Sequence, residues 1–100
     1  MESNTSILNT YGRLPISFEK GSGVWLFDKQ GNRYLDALAG VAVNTVGHTH
    51  PVLIEGLKNQ LDCFIHVSNY VNIKEQENLS SKLTALTGLD AVFFSNSGCE

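Results

Sequence analysis

Apolar positions change their spacing three times along the chain. Between residues 24 and 36 they crowd into two short aromatic and β-branched runs, Val24-Trp25-Leu26-Phe27-Asp28 and Asn32-Arg33-Tyr34-Leu35-Asp36, on either side of Lys29-Gln30-Gly31. Two such runs around a glycine placed for positive φ predict a β-hairpin. Gly21 and Gly23 are expected to loosen the approach to it. From residue 51 the period becomes helical. Leu53, Ile54, Leu57, Leu61, Phe64 and Ile65 share one face, and Glu55, Lys58, Asn59 and Asp62 the other, which predicts an amphipathic helix over 51–65. Pro51, directly after His50, suits its first turn, where no N–H is missed. Leu79, Leu83 and Leu86 predict a second such helix over 73–87, with Asn72 and Glu75 as a capping-box variant and Gly88 as its stop. Ala91 to Phe94 then reads as a short buried strand.

Other stretches lack a period. Residues 1 to 10 are polar and predict a frayed terminus. Tyr11 to Pro15 reads as extended, since Pro15 pushes Leu14 out of the helical region. The run Ala37 to Val46 is small and apolar but too irregular for helix or strand. Small residues there let a backbone approach another backbone or a ligand closely. His66-Val67-Ser68-Asn69-Tyr70 breaks the period between the two helices. Pattern alone therefore gives a mixture of α and β.

Composition narrows the function classes. With 100 residues, 42% hydrophobic and 17% charged, the chain has the length of one small domain and ordinary soluble composition. A net charge of −3 and no Lys/Arg cluster argue against a nucleic-acid or anionic-membrane surface. The longest apolar and glycine run, Ala37 to Val43, falls far below the ~20 residues that a bilayer requires. The opening Met-Glu-Ser-Asn-Thr-Ser has no basic or apolar targeting pattern, so a cytoplasmic protein is expected. Cys63 and Cys99 show neither disulfide-framework nor metal spacing and read as reduced thiols. His48 and His50 lie two apart with no Asp, Glu or Cys nearby to complete a ligand set, so no metal site is expected.

The last stretch carries the candidate chemistry. Ala91 to Phe94 empties into Ser95-Asn96-Ser97-Gly98. A strand followed by a turn of small residues is how phosphate cups begin, because a phosphate must reach backbone N–H groups. Taken alone, the same residues fit a surface turn without a ligand.

The ordered motifs FEKGSGVWLFDKQGNRYLDALAGVAVNTVGHTHP, HVSNY and FFSNSGCE resemble the opening of the class III pyridoxal-phosphate-dependent aminotransferases, from about Tyr11 to Glu100. His66-x-Ser68-Asn69 is closer to members acting on N2-acetylornithine than to those acting on ornithine or 4-aminobutyrate. The resemblance implies an α/β fold, the N-terminal part of a fold-type I aminotransferase: a small-domain hairpin, then the start of a large, mostly parallel-sheet domain, incomplete in this chain. Residues 1–45 would form the N-terminal segment with its hairpin. Residues 46–100 would supply the helices and first strand leading into the domain that binds pyridoxal 5'-phosphate.

On that template Gly98 allows close approach of the cofactor phosphate, Ser97 offers a hydroxyl, and the Cys99 N–H donates to a phosphate oxygen. Position 99 is commonly alanine or threonine in the family; cysteine would cost little where the contact is through the backbone N–H, and would lose a threonine hydroxyl bond where a member makes one. Tyr11 would reach toward the substrate and Val41 would line its pocket. The implied reaction moves the terminal amino group of N2-acetylornithine to 2-oxoglutarate, in a homodimer. The lysine that such enzymes join covalently to the cofactor is expected outside this chain, since none of Lys20, Lys29, Lys58, Lys74 or Lys82 sits in its motif. So is the aspartate that pairs with the pyridine nitrogen. No catalytic residue is therefore expected among these 100, and the isolated segment should be inactive and poorly folded. Succinylornithine, ornithine or 4-aminobutyrate as substrate, or a non-enzymatic binding or structural module, are the alternatives.

Overall fold

The computed structural model describes residues 5–100. Residues 1 to 4 of the expected frayed terminus lie outside the described residues, and residues 5 to 10 contain no helix or strand. The chain divides into two units, the first ending at Asn59 and the second beginning at Gln60.

The first unit is built on a three-stranded antiparallel sheet, β1 (Phe18–Ser22), β2 (Trp25–Asp28) and β3 (Arg33–Leu35), in the order β1-β2-β3. The β2–β3 hairpin is the predicted one, with Trp25 opposite Leu35, Leu26 opposite Tyr34 and Phe27 opposite Arg33. Asp28 organises its loop. One carboxylate oxygen accepts the N–H groups of Gln30 and Asn32 at 3.0 and 2.8 Å, and the other accepts the Asn32 amide at 2.9 Å and the Tyr34 hydroxyl at 3.2 Å. The Asn32 side-chain bond leads in holding the Asp28 carboxyl below the usual carboxylate range. Loss of solvent, then the bond to Asp28, pushes the Tyr34 phenol up.

β1 is a correction to the sequence reading. Gly21 and Gly23 do not loosen this stretch; they let it pair. Ser22 faces Trp25, and Gly23 has a φ of 58° at the first position of the two-residue connection, where glycine is favoured in hairpins. The ladder slips between Phe18 and Lys20, leaving Glu19 as an extra residue. Aromatic residues pack against each other within the sheet, with Phe18 edge-on to Tyr34 at 5.4 Å. Two basic residues reach the rings across strands. Arg33 stacks 3.9 Å above the Trp25 ring and Lys20 lies 5.4 Å from that of Phe27.

The irregular run after β3 contains a short helix, α1 (Ala39–Ala42), with an unusual hand. Ala39, Gly40, Val41 and Ala42 have φ of 54°, 65°, 61° and 62°, while the flanking Leu38 and Val43 are right-handed. α1 is thus one left-handed turn, a conformation that costs an L-residue about 1–2 kcal/mol. Helical periodicity could not reveal it, because four residues are too few to show a period.

α2 (Pro51–Leu61) and α3 (Lys74–Thr87) are the two predicted helices, each with a corrected end. α2 stops four residues before Ile65. The Gln60 carbonyl accepts the N–H groups of both Cys63 and Phe64, and the Gln60 side chain donates to the Phe64 carbonyl at 2.9 Å, closing the helix early. α3 has Ile73 at its N-cap with no side-chain cap bond, so the Asn72 capping box is not formed. Glu75 and Glu77 in the first turn still complement the helix dipole. The stop is as expected, with Gly88 left-handed at φ 74° and its N–H on the Thr84 carbonyl at 2.9 Å.

The strand expected at Ala91 to Phe94 is not formed. A strand exists through its ladder, and no backbone partner reaches these four residues among those described. Nor is any described residue fully buried. A folded protein of 10.9 kDa exposes about 5,600 Å² and its unfolded chain about 16,000 Å². This chain exposes 9470 Å², and Leu53, Leu57 and Leu61 on the apolar face of α2 are each about half exposed or more.

Candidate cofactor and substrate site

Two stretches hold the residues singled out by sequence. In the first unit, the segment from Asp36 to Thr49 folds back onto the β1–β2 hairpin. His48 and Gly23 exchange backbone bonds of 2.8 and 3.0 Å, and the Thr49 hydroxyl donates to the Gly21 carbonyl at 3.0 Å. The fit is close. A Cβ on Gly21 would lie 2.7 Å from Cγ of His48, and one on Gly47, whose φ is 80°, would lie 2.9 Å from the Gly23 carbonyl oxygen.

Asp36 connects this fold-back to α1. Its Oδ1 accepts the Ala39 N–H at 2.9 Å, and its Oδ2 lies 2.6 Å from Nε2 of His48. The His48 bond, then the Ala39 N–H, hold the Asp36 carboxyl below the usual carboxylate range. Sequence reasoning considered His48 only as a metal ligand and missed this pairing. The two residues stand twelve apart, and only the fold-back brings them together. No group of three or more metal-ligating side chains occurs among the described residues.

α1 presents Val41 at 76% exposure, so no described residue covers its side chain. Tyr11 is 72% exposed, with the Arg13 guanidinium 5.5 Å from its ring centre. No hydrogen bond or ring contact joins Tyr11 to Val41 among the described residues. A cleft of about 320 Å³ beside the hairpin loop, lined by Pro15, Ile16, Lys29 and Tyr34 among others, contains neither.

In the second unit, Ser97, Gly98 and Cys99 form one turn, closed by the Glu100 N–H on the Ser97 carbonyl at 3.3 Å. An anionic oxygen already sits on its leading edge. Oε2 of Glu100 accepts the N–H groups of Asn96 and Ser97 at 2.6 and 3.0 Å. The N–H groups of Gly98 and Cys99 donate to no protein acceptor among the described residues. A Cβ built on Gly98 meets nothing within 4 Å, and its φ is not left-handed, so the chain itself does not require glycine there. Free donors beside a small residue fit an incoming phosphate oxygen.

These features coincide with a family match. Residues 7–100 match the aminotransferase class-III family. The chain belongs to the class-III aminotransferases. Among the relatives of this class-III chain, the acetylornithine aminotransferase of Nitrosomonas europaea is 57% identical over 94 residues, covering 94% of this chain and 24% of that protein. The acetylornithine aminotransferase of Agrobacterium fabrum is 50% identical over 99 residues, covering 99% and 25%. In structure, the chain is similar to acetylornithine aminotransferase from Elizabethkingia anophelis, with a TM-score of 0.86 at 30% identity over 92% of this chain and 24% of that one. It is similar also to Plasmodium falciparum ornithine delta-aminotransferase, with a TM-score of 0.85 at 27% identity over the same shares. The chain spans about a quarter of the length of the curated relatives it matches. Its small antiparallel sheet and helices are the N-terminal part of the class-III α/β fold.

Proposed function

We propose that the full-length protein carrying this chain is a pyridoxal-phosphate-dependent aminotransferase that moves the terminal amino group of N2-acetylornithine to 2-oxoglutarate, in arginine biosynthesis. The observation that carries the reading is 57% identity to a relative of that name, against 27% to the ornithine delta-aminotransferase of similar structure. Ornithine as amino donor is the second reading, favoured only by that structural likeness.

In this reading residues 1–45 serve the substrate side, and residues 46–100 lead into the cofactor domain. The N–H groups of Gly98 and Cys99 hold the cofactor phosphate, with the Ser97 hydroxyl beside them. Their free donors support this assignment. The cofactor, when bound, supplies the electron sink that lets a bond at the amino-bearing carbon break. Val41 lines the amino-donor pocket and Tyr11 reaches toward the donor. The side chains on α1 support the Val41 role, since glycine would adopt that backbone at lower cost than alanine or valine. The reading includes a cytoplasmic homodimer. No helix among the described residues is long and apolar enough to cross a membrane, and the uncovered leucines of α2 call for apolar cover from outside these residues.

The test is glutamate formation by the purified full-length protein with 2-oxoglutarate and each amino donor in turn. The highest kcat/KM is expected with N2-acetylornithine. A higher value with ornithine, succinylornithine or 4-aminobutyrate would replace the substrate assignment.

A further inference from the structure

We propose that Asp36 and His48 are positioning residues that together hold the left-handed turn α1 against the β1–β2 hairpin and thereby fix where Val41 stands in the amino-donor pocket. The inference rests on the reading of Val41 given above.

α1 cannot depend on backbone preference for its shape. All four of its residues have positive φ, and three carry a Cβ that disfavours it. Its internal bonds, from Ala42 N–H to the Leu38 carbonyl and from Val43 and Asn44 N–H to the Ala39 carbonyl, satisfy its far end. At its near end the Ala39 N–H is taken by Asp36 Oδ1. The same carboxylate meets His48 through Oδ2, so one rigid, planar group joins the turn to the histidine.

Both partners are fixed in turn. The Asp36 N–H donates to the Val24 carbonyl at 2.8 Å, and His48 pairs with Gly23 through its own N–H and carbonyl. The His48 imidazole lies over Gly21, where a side chain of any other residue would displace it. The side chains of Asp36 and His48 are only 11% and 20% exposed, although no residue around them is fully buried. A neutral imidazole can donate its Nε2–H to the carboxylate as an imidazolium can, so the clasp does not depend on a protonated histidine. The β1–β2 and β2–β3 ladders do not pass through the pair, so its loss should release the turn and spare the sheet.

The test uses the full-length holoenzyme and four variants, Asp36→Ala, Asp36→Asn, His48→Ala and Val41→Ala. Amide hydrogen exchange is followed by mass spectrometry in peptides covering 37–46 and 25–35, beside KM for each substrate and cofactor affinity. In Asp36→Ala, exchange over 37–46 is expected to quicken about tenfold or more with 25–35 unchanged. KM for the amino donor should rise about tenfold while cofactor affinity stays within about twofold of the parent. Asp36→Asn keeps an oxygen for the Ala39 N–H and should restore most of both. Val41→Ala should raise KM without altering exchange.

Parent-like exchange over 37–46 in folded Asp36→Ala overturns the proposal. If that variant does not fold, parent-like exchange in His48→Ala does the same. A raised KM in Val41→Ala, together with an unchanged KM in an Asp36→Ala enzyme whose turn has loosened, overturns it as well. If Val41→Ala leaves KM unchanged, the reading of Val41 fails instead, and the clasp is decided by exchange alone.

Discussion

Glycine is small for opposite reasons in the two units. In the first, Gly21 and Gly47 are small because the chain's own atoms stand where a side chain would go, at 2.7 and 2.9 Å from a Cβ. In the second, Gly98 has nothing within 4 Å and an ordinary φ, so its smallness serves nothing inside the chain. The backbone donors follow the same division. His48 and Gly23 satisfy each other across the fold-back, while Gly98 and Cys99 point their N–H groups at no protein acceptor among the described residues. A glycine and a donor with no internal use are what a ligand site looks like before the ligand is considered.

Substitution in the full-length protein can break this contrast. The largest effect is expected from Gly47→Val, which combines a left-handed backbone with a backbone clash. It should destabilise the protein by about 3 kcal/mol or more, read as a lower Tm by scanning calorimetry. If Gly47→Val melts like the parent, the fold-back is not as tight as its distances state. Gly98→Val should do the reverse, leaving Tm alone while blocking the approach of phosphate. Cofactor affinity, titrated by absorbance, should fall roughly ten- to a hundredfold, the equivalent of one lost charge-assisted hydrogen bond. Parent-like affinity in a folded Gly98→Val enzyme would return the turn to an ordinary surface loop.

Next in size comes the comparison of Cys99→Pro with Cys99→Ala. Proline removes the N–H and should weaken cofactor binding about tenfold, whereas alanine keeps it and should stay within about twofold. Equal damage in both would mean that the cysteine side chain, not the backbone, makes the contact. The smallest effect concerns pH. The Asp36 carboxyl titrates lower in the folded protein than in the unfolded chain, so the unfolded state binds more protons between the two values. The stability it contributes is present above the unfolded carboxylate value and is lost as pH falls through the folded one. Asp36→Asn should flatten that acid limb of Tm against pH. An acid limb as steep as the parent's would show that Asp36 is not its source.

What the sequence made legible follows the range of the interactions concerned. The β2–β3 hairpin and the body of α2 and α3 depend on contacts a few residues apart, and side-chain spacing recorded them. The phosphate-cup candidate was legible because its donors are consecutive. β1 was obscured by the two glycines that allow it to pair, since composition reads glycine as a breaker and only the partner strand shows otherwise. α1 and the Asp36–His48 clasp left no signal, the first because four left-handed residues have no period, the second because its partners meet only after the chain has folded back. Ala91 to Phe94 failed in the other direction. An apolar run shows that a segment can be a strand, but the ladder that would make it one must come from somewhere else.

The two thiols of the second unit give the turn at Ser97 to Cys99 a chemical address. Cys63, just past the end of α2, and Cys99, within the turn itself, are both free and exposed. An alkylating reagent can therefore report on each position in a single digest, with Cys63 as the internal clock against which Cys99 is timed. Slowing of Cys99 labelling relative to Cys63 as pyridoxal phosphate is added would footprint the phosphate with no substrate present and no turnover required.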